Sequence, residues 1–235
     1  MRAVQEFSRF AGHYEQYNTI QKQVAKRLVG MVQADDLDTI VDVGCGSGAV
    51  YRELQRQQIS CQEFWALDLS QEMLALHPQT AEVHKLLFDF NAPQAFETLP
   101  IAGADIVISA SALQWSHDLY PTLGALSRLS HNAYLAIFTS QTFRTLHRLA
   151  NIASPIYSAE EIISVVDQHY QATYERVEYR LAFGDIRQMF QYIKRSGVSG
   201  GDKQLSYTDM KRIMRTYPHD CLEFEVLFIR GVSKR

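Results

Sequence analysis

The sequence predicts an α/β fold, a doubly wound and mostly parallel sheet with helices on both faces. Three observations predict it. A β-branched run, Ile40-Val41-Asp42-Val43, feeds a turn with glycine at every second position: Gly44, Gly46 and Gly48. An acid, Asp68, follows about twenty residues after Gly48, at the end of the apolar run Phe64-Trp65-Ala66-Leu67. Strand-like and helix-like segments then alternate as far as Thr139. Such alternation builds parallel strands joined by crossover helices, and ligands bind those sheets outside the carboxyl ends of the strands.

The elements follow in order. Residues 5–33 read as one or two amphipathic helices, because Ile20, Val24, Leu28 and Met31 recur at helical spacing. Residues 39–43 form the first strand, and Ala49 to Gln58 the helix after the glycine turn. Residues 63–68 form the second strand, and Ser70 is placed to cap the helix holding Met73 and Leu74. The third strand runs from Val83 to Phe88 with Asp89 at its end, and the fourth covers Ile106 to Ser109. A helix from Leu119 to Leu129 leads into the fifth strand, Ala133 to Thr139. Gly44, Asp68, Asp89 and Ser109 therefore all fall at strand carboxyl ends.

The second half is less regular. Leu146 to Ala153 reads as helical. Ala159 to His169 is a helix opened by a capping box, Ser158 with Glu161 three residues on. Tyr174 to Phe183 alternates like a strand, Asp185 to Arg195 is helical, and 199–202 is a loop. Ser206 to Tyr217 is helical up to Pro218, and Leu222 to Ser233 is a closing strand. The helices at 143–170 and 185–217 are expected above the sheet as a lid.

Composition limits the function. The 235 residues suit one domain with a modest insertion, and the net charge of −3 gives no nucleic-acid signature. Cys45, Cys61 and Cys221 are scattered without a CxxC pair, so neither a zinc site nor a disulfide framework is expected. A reduced, cytoplasmic protein with no membrane span is the expectation.

The glycine order decides between ligands. A diphosphate fingerprint needs G-x-G-x-x-G, and a Walker loop needs Gly-Lys-Ser/Thr. The order here is Asp42-Val-Gly-Cys-Gly-Ser-Gly48, with an acid where a diphosphate would be repelled and a cationic ligand welcomed. Asp68 can accept hydrogen bonds from a ribose diol. The motif resembles motif I of class I S-adenosylmethionine (SAM) methyltransferases, whose glycine loop touches the methionine end of SAM. The resemblance implies a Rossmann-like seven-stranded sheet, the last strand antiparallel, with a helical lid. It implies one domain over 1–235: an N-terminal helical cover (1–35), a SAM-binding core (36–142), lid insertions with strand six (143–217) and a closing strand (218–235).

Further stretches narrow the family. Phe7-Ser8-Arg9-Phe10-Ala11 with Tyr14 and Gln21 resembles F-x-R-A-A…Y…Q. Ser111-Ala112-Leu113-Gln114-Trp115 with Asp118-Leu119 resembles N/S-x-A-L-Q-W…D-L, and Phe138-Thr139-Ser140 with Thr145-Leu146 resembles F-S-T…G-T-L. Tyr192 to Val198 resembles L-K-x-T-G-x. Together these are similar to the BioC-type malonyl-acyl-carrier-protein O-methyltransferases of biotin synthesis. Phe143-Arg144 departs from that pattern, standing where the family has a Pro-Gly-like pair.

The resemblance implies methyl transfer from SAM to the free carboxylate of malonyl-acyl carrier protein, or of malonyl-CoA. It places Tyr14, Gln114, Trp115 and Arg144 on the acceptor side. It places Gln21, Asp42, Gly44, Cys45, Gly46, Gly48, Asp68, Leu69, Met73, Asp89, Phe90 and Ser109 on the cofactor side. Acyl carrier proteins are acidic, so a basic lid face is expected to receive one, from Arg187, Lys194, Arg195, Lys203, Lys211, Arg212 and Arg215. Rival readings remain: a small-molecule carboxylate or quinone precursor as acceptor, a non-catalytic binding subunit, and, more remotely, a dehydrogenase.

Overall fold

A computed structural model describes residues 18–195 and 207–235. Seven strands form one sheet in the order β3-β2-β1-β4-β5-β7-β6. They are β1 (Asp36–Val43), β2 (Ser60–Asp68), β3 (Val83–Leu87), β4 (Ala104–Ala110), β5 (Ser130–Phe138), β6 (Tyr170–Ala182) and β7 (Cys221–Ser233). The pairs from β3 across to β5 are parallel, whereas β7 lies antiparallel to both β5 and β6. The chain reverses its winding direction between β1 and β4, and that switch point opens the crevice where ligands bind such sheets.

Helices α1 (Thr19–Val29), α2 (Ala49–Arg56) and α3 (Gln71–Leu76) belong to the first half. Those of the second half are α4 (Leu119–Leu129), α5 (Arg144–Ala150), α6 (Ala159–His169), α7 (Ile186–Arg195) and α8 (Tyr207–Thr216). Two apolar clusters fill the two faces of the sheet. On one face Ile20, Val24 and Leu28 of α1 pack with Ile40, Leu54 and Phe64. On the other, Val41, Val43 and Leu67 pack with Leu123 and Leu126 of α4 and Ile162 and Val166 of α6. Each such side chain contributes roughly 1.5–3 kcal/mol on burial, enough to dock an amphipathic helix whose own propensity is marginal. Because strand side chains alternate, the two neighbours of each residue in β1 face opposite clusters to it. Asp42, two residues from Ile40, therefore faces the side that α1 covers.

The direction of α1 matters for the site. Gln57, just past the end of α2, donates its side-chain amide to the Lys26 carbonyl near the end of α1, at 3.1 Å. The helices therefore run side by side in the same sense. Since α2 starts at Gly48 on the carboxyl edge of the sheet, the first turn of α1 faces that edge as well.

Two expectations for the second half change. The segment 159–169 does not rise above the sheet. Ile162 and Val166 are fully buried against α4, and α6 runs directly into β6 at Tyr170, four residues earlier than the alternation suggested. Its stripe is fully apolar on one face, which a solvent-spanning lid helix could not be. Helix α5 begins at Arg144 and stops at Asn151, which adopts the left-handed conformation that ends helices. Helices α7 and α8 anchor Met189, Phe190, Ile193 and Ile213 in the same cluster as Phe143 and Phe224. Among the described residues, no helix is long and apolar enough to cross a membrane.

Candidate functional site

The glycine turn is built for close approach. Gly44, Gly46 and Gly48 have φ of 72°, 53° and 90°, the left-handed region where a side chain is strained. Their surroundings differ. A Cβ on Gly44 would lie 2.2 Å from the Ala112 Cβ, so the loop after β4 packs directly on the turn. A Cβ on Gly48 would lie 2.7 Å from Pro78 and 2.8 Å from the His77 ring. A Cβ on Gly46 would meet nothing within 4 Å. Gly44 and Gly48 are thus glycines for packing, and Gly46 leaves open space for a ligand.

Polar contacts hold the turn in place. Asp68 accepts the Gly46 N–H at 2.8 Å on one carboxylate oxygen and the Ser70 N–H at 2.8 Å on the other. Ser70 caps α3 by accepting the Met73 N–H at 3.2 Å, as the sequence suggested. Arg52 donates to the Ser47 carbonyl at 2.6 Å. The Ser109 hydroxyl donates to the Val43 carbonyl at 2.7 Å and is buried. Ser109 thus braces β4 against β1, with its hydroxyl proton directed at the backbone.

Asp42 lies at the heart of the edge. It is fully buried, and both carboxylate oxygens lack a hydrogen-bond partner. Burial, and then the nearby charge of Asp68, push its carboxyl well above the ordinary range. Burial also raises Asp68, against its backbone hydrogen bonds, which lower it. Two adjacent carboxylates that resist ionisation are relieved by a positive ligand. The Cys45 thiol is buried in the turn, bonded only weakly to the Gly46 carbonyl at 3.6 Å, and raised well above its usual value. That leaves it a small packing group rather than a nucleophile.

The remaining expected residues distribute as follows. Leu69 is exposed next to Asp68 in the chain, whereas Met73 is buried in α3. Asp89 accepts the Asn91 N–H at 2.9 Å, a local turn that leaves its other oxygen available. The Phe90 ring comes within 3.9 Å of the added Gly44 Cβ, which joins the end of β3 to the glycine turn. Gln21 is buried in the first turn of α1 with its side-chain carbonyl unpartnered. Gln114 is buried after β4, donating to the Ser111 carbonyl at 2.7 Å while its own carbonyl lacks a partner. Trp115 follows it, partly exposed. Arg144 starts α5, but its guanidinium forks onto Glu178 of β6 at 2.7 and 3.4 Å. Tyr14 lies outside the described residues.

On α7 and α8, Arg187, Lys211 and Arg215 are exposed. Arg212 is partly structural, donating to the Leu149 carbonyl at 3.2 Å and so tying α8 to α5. Lys194 and Arg195 close α7, and Lys203 lies outside the described residues. Two further residues at this edge were not among the expected site residues. Ser111 has φ of 64° and a buried, unpartnered hydroxyl. Asn18 is buried at the start of α1 with its side-chain carbonyl unpartnered. The only sequence signal for Asn18 was its place one turn before Gln21.

An orphaned buried carboxylate, a ribose-spaced acid and the void over Gly46 fit SAM, whose sulfonium and ammonium are cationic and whose ribose carries a diol. Comparisons agree. Residues 41–132 match a family model described as a methyltransferase domain. A malonyl-[acyl-carrier protein] O-methyltransferase of Brevibacillus brevis is 26% identical over 97% of this chain and 95% of its own. One of Serratia marcescens is 32% identical over 62% of this chain, and the match spans only 54% of that relative. Among solved structures, the YcgJ protein from Bacillus subtilis has a TM-score of 0.65 at 13% identity, covering 91% of this chain and 99% of that one. Phosphoethanolamine N-methyltransferase 2 of Haemonchus contortus, solved with SAM, has a TM-score of 0.57 at 14% identity, covering 96% of this chain and 57% of that one. The chain thus carries a match to a methyltransferase domain at residues 41–132 and is similar in fold and site to class I SAM-dependent methyltransferases.

Proposed function

We propose that the chain methylates the free carboxylate of a malonyl thioester on acyl carrier protein, the step that starts pimeloyl synthesis for biotin. The observation that carries this reading is the match to the Brevibacillus brevis enzyme over nearly the whole of both chains. The bound cofactor supplies an electrophilic methyl group. The residues of this chain have to align the acceptor, replace its hydration and exclude water.

A carboxylate is already a nucleophile at neutral pH, so the acceptor side requires no general base. The composition of the edge supports this: Gln114 and Trp115 flank the end of β4, and neither titrates. Gln114 can donate or accept through its amide, and the unpartnered carbonyl shows that its hydrogen-bonding capacity is not filled by the protein. Desolvating the acceptor carboxylate calls for a cation. Arg144 serves if it exchanges Glu178 for the substrate, a plausible trade because this ion pair is exposed and weak. Tyr14 completes the acceptor side. Asp42, Gly46, Asp68, Asp89 and Gln21 hold the cofactor.

The exposed cations Arg187, Lys211 and Arg215 receive the acidic carrier protein. The test compares malonyl-acyl carrier protein with malonyl-CoA. Reversing Lys211 and Arg215 to Glu should raise KM for the carrier-protein substrate about tenfold and leave malonyl-CoA unaffected. Equal effects on both substrates would remove the carrier-protein docking role. Transfer to neither, with transfer to a small free acid, would replace the acceptor altogether.

A further inference from the structure

Asparagine is among the best helix N-cap residues, because its side-chain oxygen accepts an N–H of the first turn. Asn18 is the N-cap of α1 and makes no such bond. Its side chain is instead turned inward: the residue is 2% exposed, and its carbonyl oxygen has no partner. An unpaired buried acceptor is costly, and here an ordinary partner, the helix's own N–H, is close by and not taken. Gln21 repeats the pattern one turn later, 9% exposed with an unpartnered carbonyl. Residues three apart lie on one helix face.

That face has a defined address. The first turn of α1 lies at the carboxyl edge of the sheet, alongside the glycine turn that precedes α2. Ile40 packs in the same cluster as Ile20 and Val24, and Asp42 points to the same side as Ile40. The unpartnered acceptors of Asn18, Gln21 and Asp42 are therefore all at the carboxyl edge, on the face of the sheet that α1 covers. The amino-acid end of SAM offers an ammonium with three N–H donors and a positive charge. Three acceptor groups, one of them an ionisable carboxylate, match it in number and in sign.

We propose that Asn18 is a cofactor-positioning residue whose side-chain carbonyl, beside Gln21 and Asp42, accepts a hydrogen bond from the α-ammonium of SAM. The inference rests on SAM as cofactor and is independent of the methyl acceptor. Cofactor binding thus satisfies acceptors that the free protein leaves bare, and it fixes the start of α1 over the methionine end of the ligand.

The test is calorimetric binding of S-adenosylhomocysteine and of 5′-methylthioadenosine, which lacks the amino-acid end, to the full chain. Asn18→Ala should weaken S-adenosylhomocysteine about tenfold and leave methylthioadenosine unchanged. Asn18→Ser keeps a good helix cap but is too short to reach the ligand, so it should show the same selective loss with an unaltered thermal midpoint of the ligand-free protein. Equal losses for both ligands, or no loss with either variant, would overturn the proposal.

Discussion

The Asp68 carboxylate accepts the Gly46 amide N–H at 2.8 Å, linking the end of β2 to the middle of the glycine turn. The residue spaced to receive a ribose is therefore also a strut of the glycine turn. On the proposed reading one side chain serves two parts of one ligand, and its removal should be felt at both.

Replacing Asp68 by Ala should therefore weaken S-adenosylhomocysteine by more than a single lost ribose contact, roughly 2–4 kcal/mol or about thirtyfold to a thousandfold. Methylthioadenosine, which lacks the methionine end, should lose less. Isothermal titration of both ligands reads the difference, and equal losses would show that Asp68 acts on the ribose alone.

The glycines separate packing from binding. Gly44→Ala drives a methyl to 2.2 Å from the Ala112 Cβ and should destabilise the protein itself, by about 2–4 kcal/mol. Gly46→Ala places its methyl in open space and carries only the strain of its φ, about 1 kcal/mol. It should fold but bind cofactor at least tenfold more weakly, because the methyl enters the ligand's volume. Urea denaturation together with a binding titration distinguishes the two.

Asp42 should couple binding to protons. Its carboxyl is raised by burial and by Asp68 in the free protein, and a cationic ligand favours the ionised form and lowers it again. Binding therefore releases protons, and affinity rises with pH between the bound and free values. Calorimetry in buffers of different ionisation enthalpy should detect the release, and Asp42→Asn should abolish it while weakening binding at least tenfold. A proton count unchanged in Asp42→Asn would assign the titration elsewhere.

His77 should govern acid stability. The ring is wedged against Gly48 and packed on Tyr51 and Phe64, and burial lowers it to about 4. Below pH 6.5 the unfolded chain binds a proton that the folded chain refuses. Stability therefore falls as pH drops from 6.5 towards 4 and levels off below that. The loss should be at most roughly 3 kcal/mol, read as a falling urea midpoint, and His77→Phe should flatten the slope in that window.

The half of the chain richest in local signals was the more legible. The parallel strands β1, β2 and β3 announced themselves as apolar runs ending at Gly44, Asp68 and Asp89, and the topology required those ends to lie together. The Ser158–Glu161 capping box was read correctly because both halves of it are local. What the sequence did not disclose depends on contacts between distant residues. The docking of α6 on α4 is a choice of which apolar stripe wins a place on the sheet, and periodicity does not rank stripes. The role of Ser109 turns on which of several carbonyls its hydroxyl meets. The Arg144–Glu178 pair joins residues 34 apart on different elements, and no spacing rule points to it. Asn18 was hidden because an N-cap asparagine has an obvious local duty, and only the structure shows that duty left undone.

The central claim is carboxyl methylation of a malonyl thioester. The most direct measurement is transfer of labelled methyl from SAM to malonyl-acyl carrier protein, with acetyl-acyl carrier protein alongside. The reading predicts label on the malonyl thioester alone, removed by mild ester hydrolysis. Label on both carriers, or on neither while SAM still binds, would contradict it.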